Sequence, residues 1–466
     1  MMLSISKRLP ILPLLFAAVI LMPAAPIPAQ TSPPPVVRAK VPPRKAADQV
    51  GRKGRETLVI DGAWRFLTDP QNIGEAESWP KAPPVETKEI AVPALWTTQT
   101  APGYSGIAWY WREFEAAPTW KTQTVRLRFE AVAEKSSVWI NGVKLGDHDG
   151  GAVPFEFNVT KQLHFGAVNV VAVRVEGDAK RGAGIWQGVL LLAHDEAYLS
   201  EVSLTAGGLG QMVTAITLEN TSDNSGVATL EGRVITLSRL DKDVHRSEQS
   251  LSLTPGRNVT TLLTSVKGKN LHTWTPETPN LYALQLAFRQ GNDVLDTQQT
   301  AFGFREFGWK DSTITLNGLP FKLTSVAPAT PLPVVIASTE DAARARASMQ
   351  RLKAAGVSIL FLDAPPPELL KIADEVGMLV VESPRQGQSR QTAFEELQAL
   401  LQRDRSHPCV LGWRIRDANV VQISTLHTMD PSRFVVLDAP GTPKLYLPGP
   451  ADSAAVTVPP GFLPVH

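Results

Sequence analysis

The sequence predicts a multidomain fold: two β-sandwiches in succession, then an α/β region built on a parallel sheet. Short alternating apolar runs separated by turn residues fill the chain from Glu56 to Phe304. Beyond that point the period switches. Helical patterns alternate with near-continuous apolar strands, the mark of a parallel sheet with both faces covered. A length of 466 residues allows roughly two to four domains. Thirty-eight prolines against seven methionines suit a loop-rich β half.

Residues 1–29 read as an export signal. Lys7 and Arg8 give a charged start, and "ILPLLFAAVILM" (Ile11 to Met22) is an apolar run too short to span a bilayer well. An uncleaved anchor is the alternative, and Pro13 inside the run opposes a stable membrane helix. The chain is thus expected to be secreted or periplasmic, with no membrane association after cleavage. Residues 30–55 are rich in Pro, Lys, Arg and Ala and read as a solvated, disordered linker.

Residues 56–200 carry the strands "VRLRFEAV", "SSVWING" and "VNVVAVRV", with Asn141-Gly142 as a tight turn, and have the size of a jelly-roll β-sandwich. Residues 201–304, with "MVTAITLEN" and "LYALQLAFRQ", fit a small immunoglobulin-like sandwich. In residues 305–466, Thr339 caps a helix that Gly356 stops. Strands "VSILFLDA", "MLVVES" and "CVLGWRI" then alternate with helices "PELLKIADEVG" and "AFEELQALLQRDR".

A formal net charge of +1 provides no basic field for a nucleic acid. Cys409 is the single cysteine, so no intramolecular disulfide can form. Its neighbours Pro408, Val410 and Leu411 fit an inert core thiol better than a nucleophile. The chain calls for no cofactor. Asp147, His148 and Asp149 lack a fourth ligand nearby in sequence and read as a polar loop, so no metal is expected.

Several strings in order resemble glycoside hydrolase family 2, the β-galactosidase, β-glucuronidase and β-mannosidase group. They are "DGAWRF", "VPALW", "YSGIAWYWREF", "VWINGVKLGDHDGGAVPFEFNVT", "GIWQGVLL", "TWTPETPNLYAL", "FGFREF", "LNGLPFKL", "ADEVGMLVVES" and "RDRSHPCVLGW". They run from about Asp61 to Asp430, nearly all of the chain after the linker. The resemblance implies a jelly-roll sugar-binding domain, an immunoglobulin-like domain and a catalytic (β/α)8, TIM-like barrel. The last three strings match barrel strands one, three and four. Most of these motifs are architectural: Gly150 and Gly151 permit a bend, and Phe155 and Phe157 share one strand face. Trp109, Tyr110 and Trp111 are consecutive and cannot all face inward. At least one is a candidate substrate-binding, sugar-stacking surface. The alternative is packing against the next domain.

Retaining glycosidases need two carboxyl groups about 5–5.5 Å apart, one a proton donor and one a nucleophile. In the family the acid/base glutamate ends strand four, in the pattern Trp-Ser-x-Gly-Asn-Glu. Laid on Trp413, that pattern reads Trp413, Arg414, Ile415, Arg416, Asp417, Ala418, so an alanine stands at the glutamate's place. Weak replacements are Glu382, expected to point to the barrel mouth, Asp417 and Asp363. The family nucleophile ends strand seven, whereas "DPSRFVVLDA", matching strand five, is followed only by "KLYLPG" and a Pro-rich tail. About 145 residues follow Phe321, against about 250 in a full barrel. The expectation is a partial barrel with an open edge that a protein partner or second copy could cover.

The favoured reading is a secreted member of the family that binds a β-linked glycan without cleaving it. A working retaining β-glycosidase with relocated carboxylates and a structural or assembly protein without a sugar site are the alternatives.

Overall fold

Alternation of apolar and polar residues makes strands wherever one sheet face is buried, and this pattern builds most of the molecule. The computed structural model describes residues 54–237, 243–268, 271–323, 332, 335–438, 444–448 and 455–457. The expected export signal, nearly all of the expected linker and the last residues of the chain lie outside them.

The first sandwich contains β1 (Glu56–Val59), β2 (Gly62–Thr68), β3 (Lys88–Val92), β4 (Gly106–Glu115), β5 (Thr124–Phe129), β6 (Lys135–Ile140), β7 (Val143–Asp149), β8 (Phe155–Asn158), β9 (Val168–Gly177) and β10 (Val189–His194). A four-stranded sheet, β1-β10-β5-β8, packs on a six-stranded one, β3-β2-β4-β9-β6-β7. Trp64, Phe66, Trp96, Tyr110 and Phe129 fill the space between them.

The aromatic run on β4 corrects both readings offered for it. Trp109, Tyr110 and Trp111 are all buried, so none gives a sugar an exposed face. Tyr110 points into the sandwich, packing edge-on against Phe66 at 5.1 Å. Trp109 and Trp111 point to the opposite side, where the β2–β3 connection folds over them and brings Trp79. Their indole N–H groups donate to Asp69 at 3.0 Å and to the Trp79 carbonyl at 2.9 Å. The lid comes from the same sandwich and not from a neighbouring domain. Gly74 is part of the fit, since a Cβ there would lie 2.5 Å from the Trp109 indole nitrogen.

The second sandwich contains β11 (Ala197–Ala206), β12 (Gln211–Asn220), β13 (Gly226–Thr236), β14 (Asp243–Leu253), β15 (Gly256–Ser265), β16 (Tyr282–Gln290) and β17 (Asp293–Phe302). Sheets β11-β12-β15 and β14-β13-β16-β17 enclose Leu204, Ile216, Leu230, Phe288 and Phe302.

A short antiparallel sheet follows: β18 (Phe307–Lys310), β19 (Thr313–Leu316) and β20 (Leu319–Pro320). The string "LNGLPFKL" therefore opens as the turn of a hairpin. Asn317 and Gly318 take positive φ there, and no residue from 316 to 323 joins the parallel sheet. The α/β region then runs α1 (Thr339–Ala354), β21 (Ile359–Asp363), α2 (Pro367–Val376), β22 (Leu379–Ser383), α3 (Arg390–Asp404), β23 (Val410–Arg416), α4 (Val420–Met429), β24 (Phe434–Asp438), β25 (Lys444–Tyr446) and β26 (Ala455–Thr457). Helix α1 is capped by Ser338, one residue earlier than the sequence suggests, because its hydroxyl accepts from the Asp341 N–H. Strands β21 to β24 are parallel, and β25 and β26 join antiparallel. Among the described residues this sheet is open, with β21 and β26 at its edges.

Candidate functional site

Parallel sheets collect functional side chains beyond the C-terminal ends of their strands, where the loops diverge. Register decides which residues face one another there. Asp363 pairs with Ser383, and Arg416 with Asp438. The side-chain contacts confirm one shared face. Ser383 donates to Asp363 at 2.6 Å, Arg414 donates to Asp438 at 2.5 Å, and the Arg414 guanidinium lies 5.6 Å from the Phe361 ring centre. Gln386 spans the row, donating to Asp363 at 2.8 Å and accepting from Arg416 at 3.5 Å.

Glu382 belongs to the other face. Adjacent strand residues point to opposite sides, and Ser383 takes the rim side. The expectation that Glu382 points to the mouth is corrected: it is fully buried against the end of α3. Burial, and next the charge of nearby Asp404, push its carboxyl well above the usual range, and neither of its oxygens has a hydrogen-bond partner among the described residues. Asp404 in turn is held by Arg403 through two bonds of 2.7 and 2.6 Å. Asp417 lies past the end of β23, exposed and at φ 51°. Ala418 is half-buried against the α/β core, and Asn419 caps α4 in a reciprocal pair with Gln422.

A polar cleft of about 240 Å³ opens where the first sandwich meets the connection from β22 to α3. Glu134, Lys135, Asp149 and Arg181 line one wall, and Arg385, Gln386 and Gln388 line the other. Arg181 bonds Glu134 at 2.7 Å and donates to the Gly387 carbonyl at 3.3 Å, tying the walls together. Arg385 is steadied by Glu396, which accepts from its backbone N–H at 2.8 Å. Its guanidinium lies over Gly151: a Cβ there would fall 1.3 Å from a guanidinium nitrogen. The Gly150-Gly151 pair thus does two jobs. Gly150 makes the bend at φ 139°, and Gly151 clears a path for Arg385. Burial raises the Glu134 carboxyl above the ordinary range, against the pull of Arg181 and Arg385.

The cleft joins the rim through Gln386, which belongs to both. Sequence reading found Asp363 but missed Glu134, Arg181, Arg385 and Gln386. The usable signal was "SPRQGQS" directly after a buried parallel strand, where loops carry function. Of Asp147, His148 and Asp149, the first pairs with Lys144 at 2.8 Å, while the His148 ring stacks on Phe155 at 3.9 Å. Consecutive positions on β7 send the three side chains to alternating sides.

Comparison with known proteins places the chain in a family. The model described as "Glycosyl hydrolases family 2, sugar binding domain" matches residues 58–193, and that described as "Glycosyl hydrolases family 2" matches residues 201–305. A β-galactosidase of Thermoanaerobacter pseudethanolicus is 24% identical over 397 residues, covering 78% of this chain and 52% of the relative. The chain thus spans about half the length of that enzyme. A family 2 glycosyl hydrolase of Bacteroides cellulosilyticus has a similar fold, with a TM-score of 0.71 at 23% identity over 82% of this chain and 57% of the other. The Ruminococcus gnavus β-glucuronidase solved with D-glucuronic acid gives 0.66 at 18% identity, over 83% and 73%. Two consecutive family models over the two sandwiches and the shared fold leave one conclusion: the chain belongs to glycoside hydrolase family 2.

Proposed function

We propose that this chain is an exported family 2 protein that binds a β-linked glycan in the cleft between its first sandwich and its α/β region, and does not hydrolyse it. The α/β region is read as part of a (β/α) barrel, with the sheet rim as its mouth. Affinity for sugar is supported by the sugar-binding-domain match and by the relative solved with glucuronic acid. The apolar start of the chain supports export.

The observation that carries the loss of hydrolysis is the state of the rim carboxylates. Ala418 occupies the position of the family acid, and Glu382 faces α3. Asp363 and Asp438 end strands three spacings apart, roughly 14 Å in backbone terms, and each is engaged by a rim partner. Even inverting enzymes place their carboxyl groups within about 9.5 Å. Asp417 is exposed beyond the end of its strand.

The test uses mature protein from Gln30, nitrophenyl β-galactoside and β-glucuronide, and a panel of β-linked oligosaccharides. The expected result is saturation transfer from protein to sugar with no new reducing-end signal after a day. Arg181→Ala should weaken binding about tenfold, the scale of one charged hydrogen bond. Nitrophenol release that disappears in Asp363→Asn would establish relocated catalysis and overturn the reading.

A further inference from the structure

Strand edges present unpaired N–H and C=O groups, and proteins shield them with short strands, charges, prolines or bulges. Most edges of the two sandwiches follow this rule. Strands β1 and β8 have four residues each and β3 five. Strand β7 carries Lys144, Asp147 and Asp149, and β14 carries Asp243, Arg246 and Glu248. The β11 pairing breaks register between Leu199 and Glu201, and that of β17 shifts beside Phe288. Strand β15 is the least protected of them. Its ten residues, "GRNVTTLLTS", contain no proline and one charge, and they pair with β12 without a register shift. Among the described residues no strand pairs with its other edge.

Two of the outward side chains of this strand are also apolar. Val259 is 68% exposed and Leu263 72%, and Val213, the β12 neighbour of Leu263, is 47% exposed. We propose that β15 is a homodimer edge: two copies pair their β15 strands antiparallel about a two-fold axis at Thr261, joining two three-stranded sheets into one of six. The register follows from the sequence. Residues facing each other across antiparallel strands lie on one side of the sheet, so a self-pairing must place some residue opposite itself. Centred on Thr261, Val259 of each copy meets Leu263 of the other. Centred on Thr260, Leu263 meets Arg257; centred on Leu262, Val259 meets Ser265. Only the Thr261 register covers all four apolar side chains with one another, as cross-strand pairs that stabilise sheets. It also sets Arg257 against Ser265, so no like charges meet. An isologous two-fold contact of this kind closes on itself, which accounts for a second copy as the occupant.

The experiment is sedimentation velocity on the full chain from low to high micromolar concentration, with two charge-pair variants. Val259→Lys with Leu263→Lys sets like charges opposite, and the dimer dissociation constant should rise at least tenfold. Val259→Glu with Leu263→Lys sets opposite charges face to face, and the constant should stay within about threefold of the parent, a difference of under 1 kcal/mol. Both positions are solvent-facing, so melting temperatures should stay level. Thr261→Cys should cross-link two chains under mild oxidant while Ser265→Cys does not, with buried Cys409 silent. A chain that remains monomeric at the highest concentration, or a dimer indifferent to the like-charge pair, would overturn the proposal. Loss of the dimer in the Glu/Lys variant would equally overturn it.

Discussion

Gly151 shows how a residue with no side chain can be the most constrained point of a site. Arg385 passes through the volume that any Cβ would need. Because the obstacle is the far end of a flexible side chain that can swing aside, Gly151→Ala should cost about 1 kcal/mol or less in stability while displacing Arg385 from the cleft. In an Arg385→Ala background the same change should cost much less, and a double-mutant cycle by chemical unfolding measures the difference. Additive effects would show that the two do not meet. The sequence offered "GG" as a bend, which holds for Gly150. The second glycine answers to a residue more than two hundred positions away, and local pattern carries no trace of that. Ala418 was legible for the opposite reason: a motif with a fixed offset from Trp413 can be counted.

Among the elements, β22 separates what periodicity gives from what it hides. Its apolar run "LVV" announces a buried strand, and the helices beside it announce a parallel sheet. What the run could not tell is which side of the strand takes Glu382, because with both faces buried alternation no longer marks the core side. The consequence is measurable. Glu382 carries a folded-state pKa well above that of an unfolded glutamate, so the folded state holds the proton longer. Stability is then full at acid pH and falls as pH rises from the ordinary glutamate range through the folded pKa, at up to about 1.4 kcal/mol per unit. Glu382→Gln keeps the shape of the side chain and removes the titration. Melting curves should show the variant gaining on the parent with rising pH; parallel curves would place the ionisation elsewhere. Strand β4 teaches the companion lesson. Its three aromatics were right for a strand, and the Trp79 lid over two of them came from a loop with no regular period.

Taken whole, the molecule is held by polar seams as much as by its cores. Trp274 and Arg305 of the second sandwich donate to the backbone carbonyls of Asp374, Pro408 and Val410 at 3.0–3.1 Å. Arg433 donates to Val410 and His407 from the other side. At the junction of the two sandwiches, His194 stacks on Tyr198 with ring centres 4.0 Å apart. Burial, aided by Arg55 and Arg126, lowers its pKa to about 3. Its folded pKa is depressed, so the unfolded chain binds the proton first, and stability is lost as pH falls from about 6.5 towards 3. His194→Phe preserves the stack and removes the charge. Its acid-unfolding midpoint should move to lower pH, and an unchanged midpoint would mean that other groups govern acid unfolding.

Arg403 adds a further consequence. From the end of α3 it donates to the Ala152 carbonyl of the first sandwich at 2.9 Å and to the Pro365 carbonyl beside the rim at 2.7 Å. Around it, Ala131, Ala133, Ala152 and Trp186 pack against Ala364 and Leu400. A gene fragment stopping after the second sandwich would shed that cover and leave Trp186 and its alanines facing water. The pair of sandwiches would therefore make a poor affinity cassette for fusion to other proteins, prone to self-association, unless the exposed seam were first redesigned to be polar.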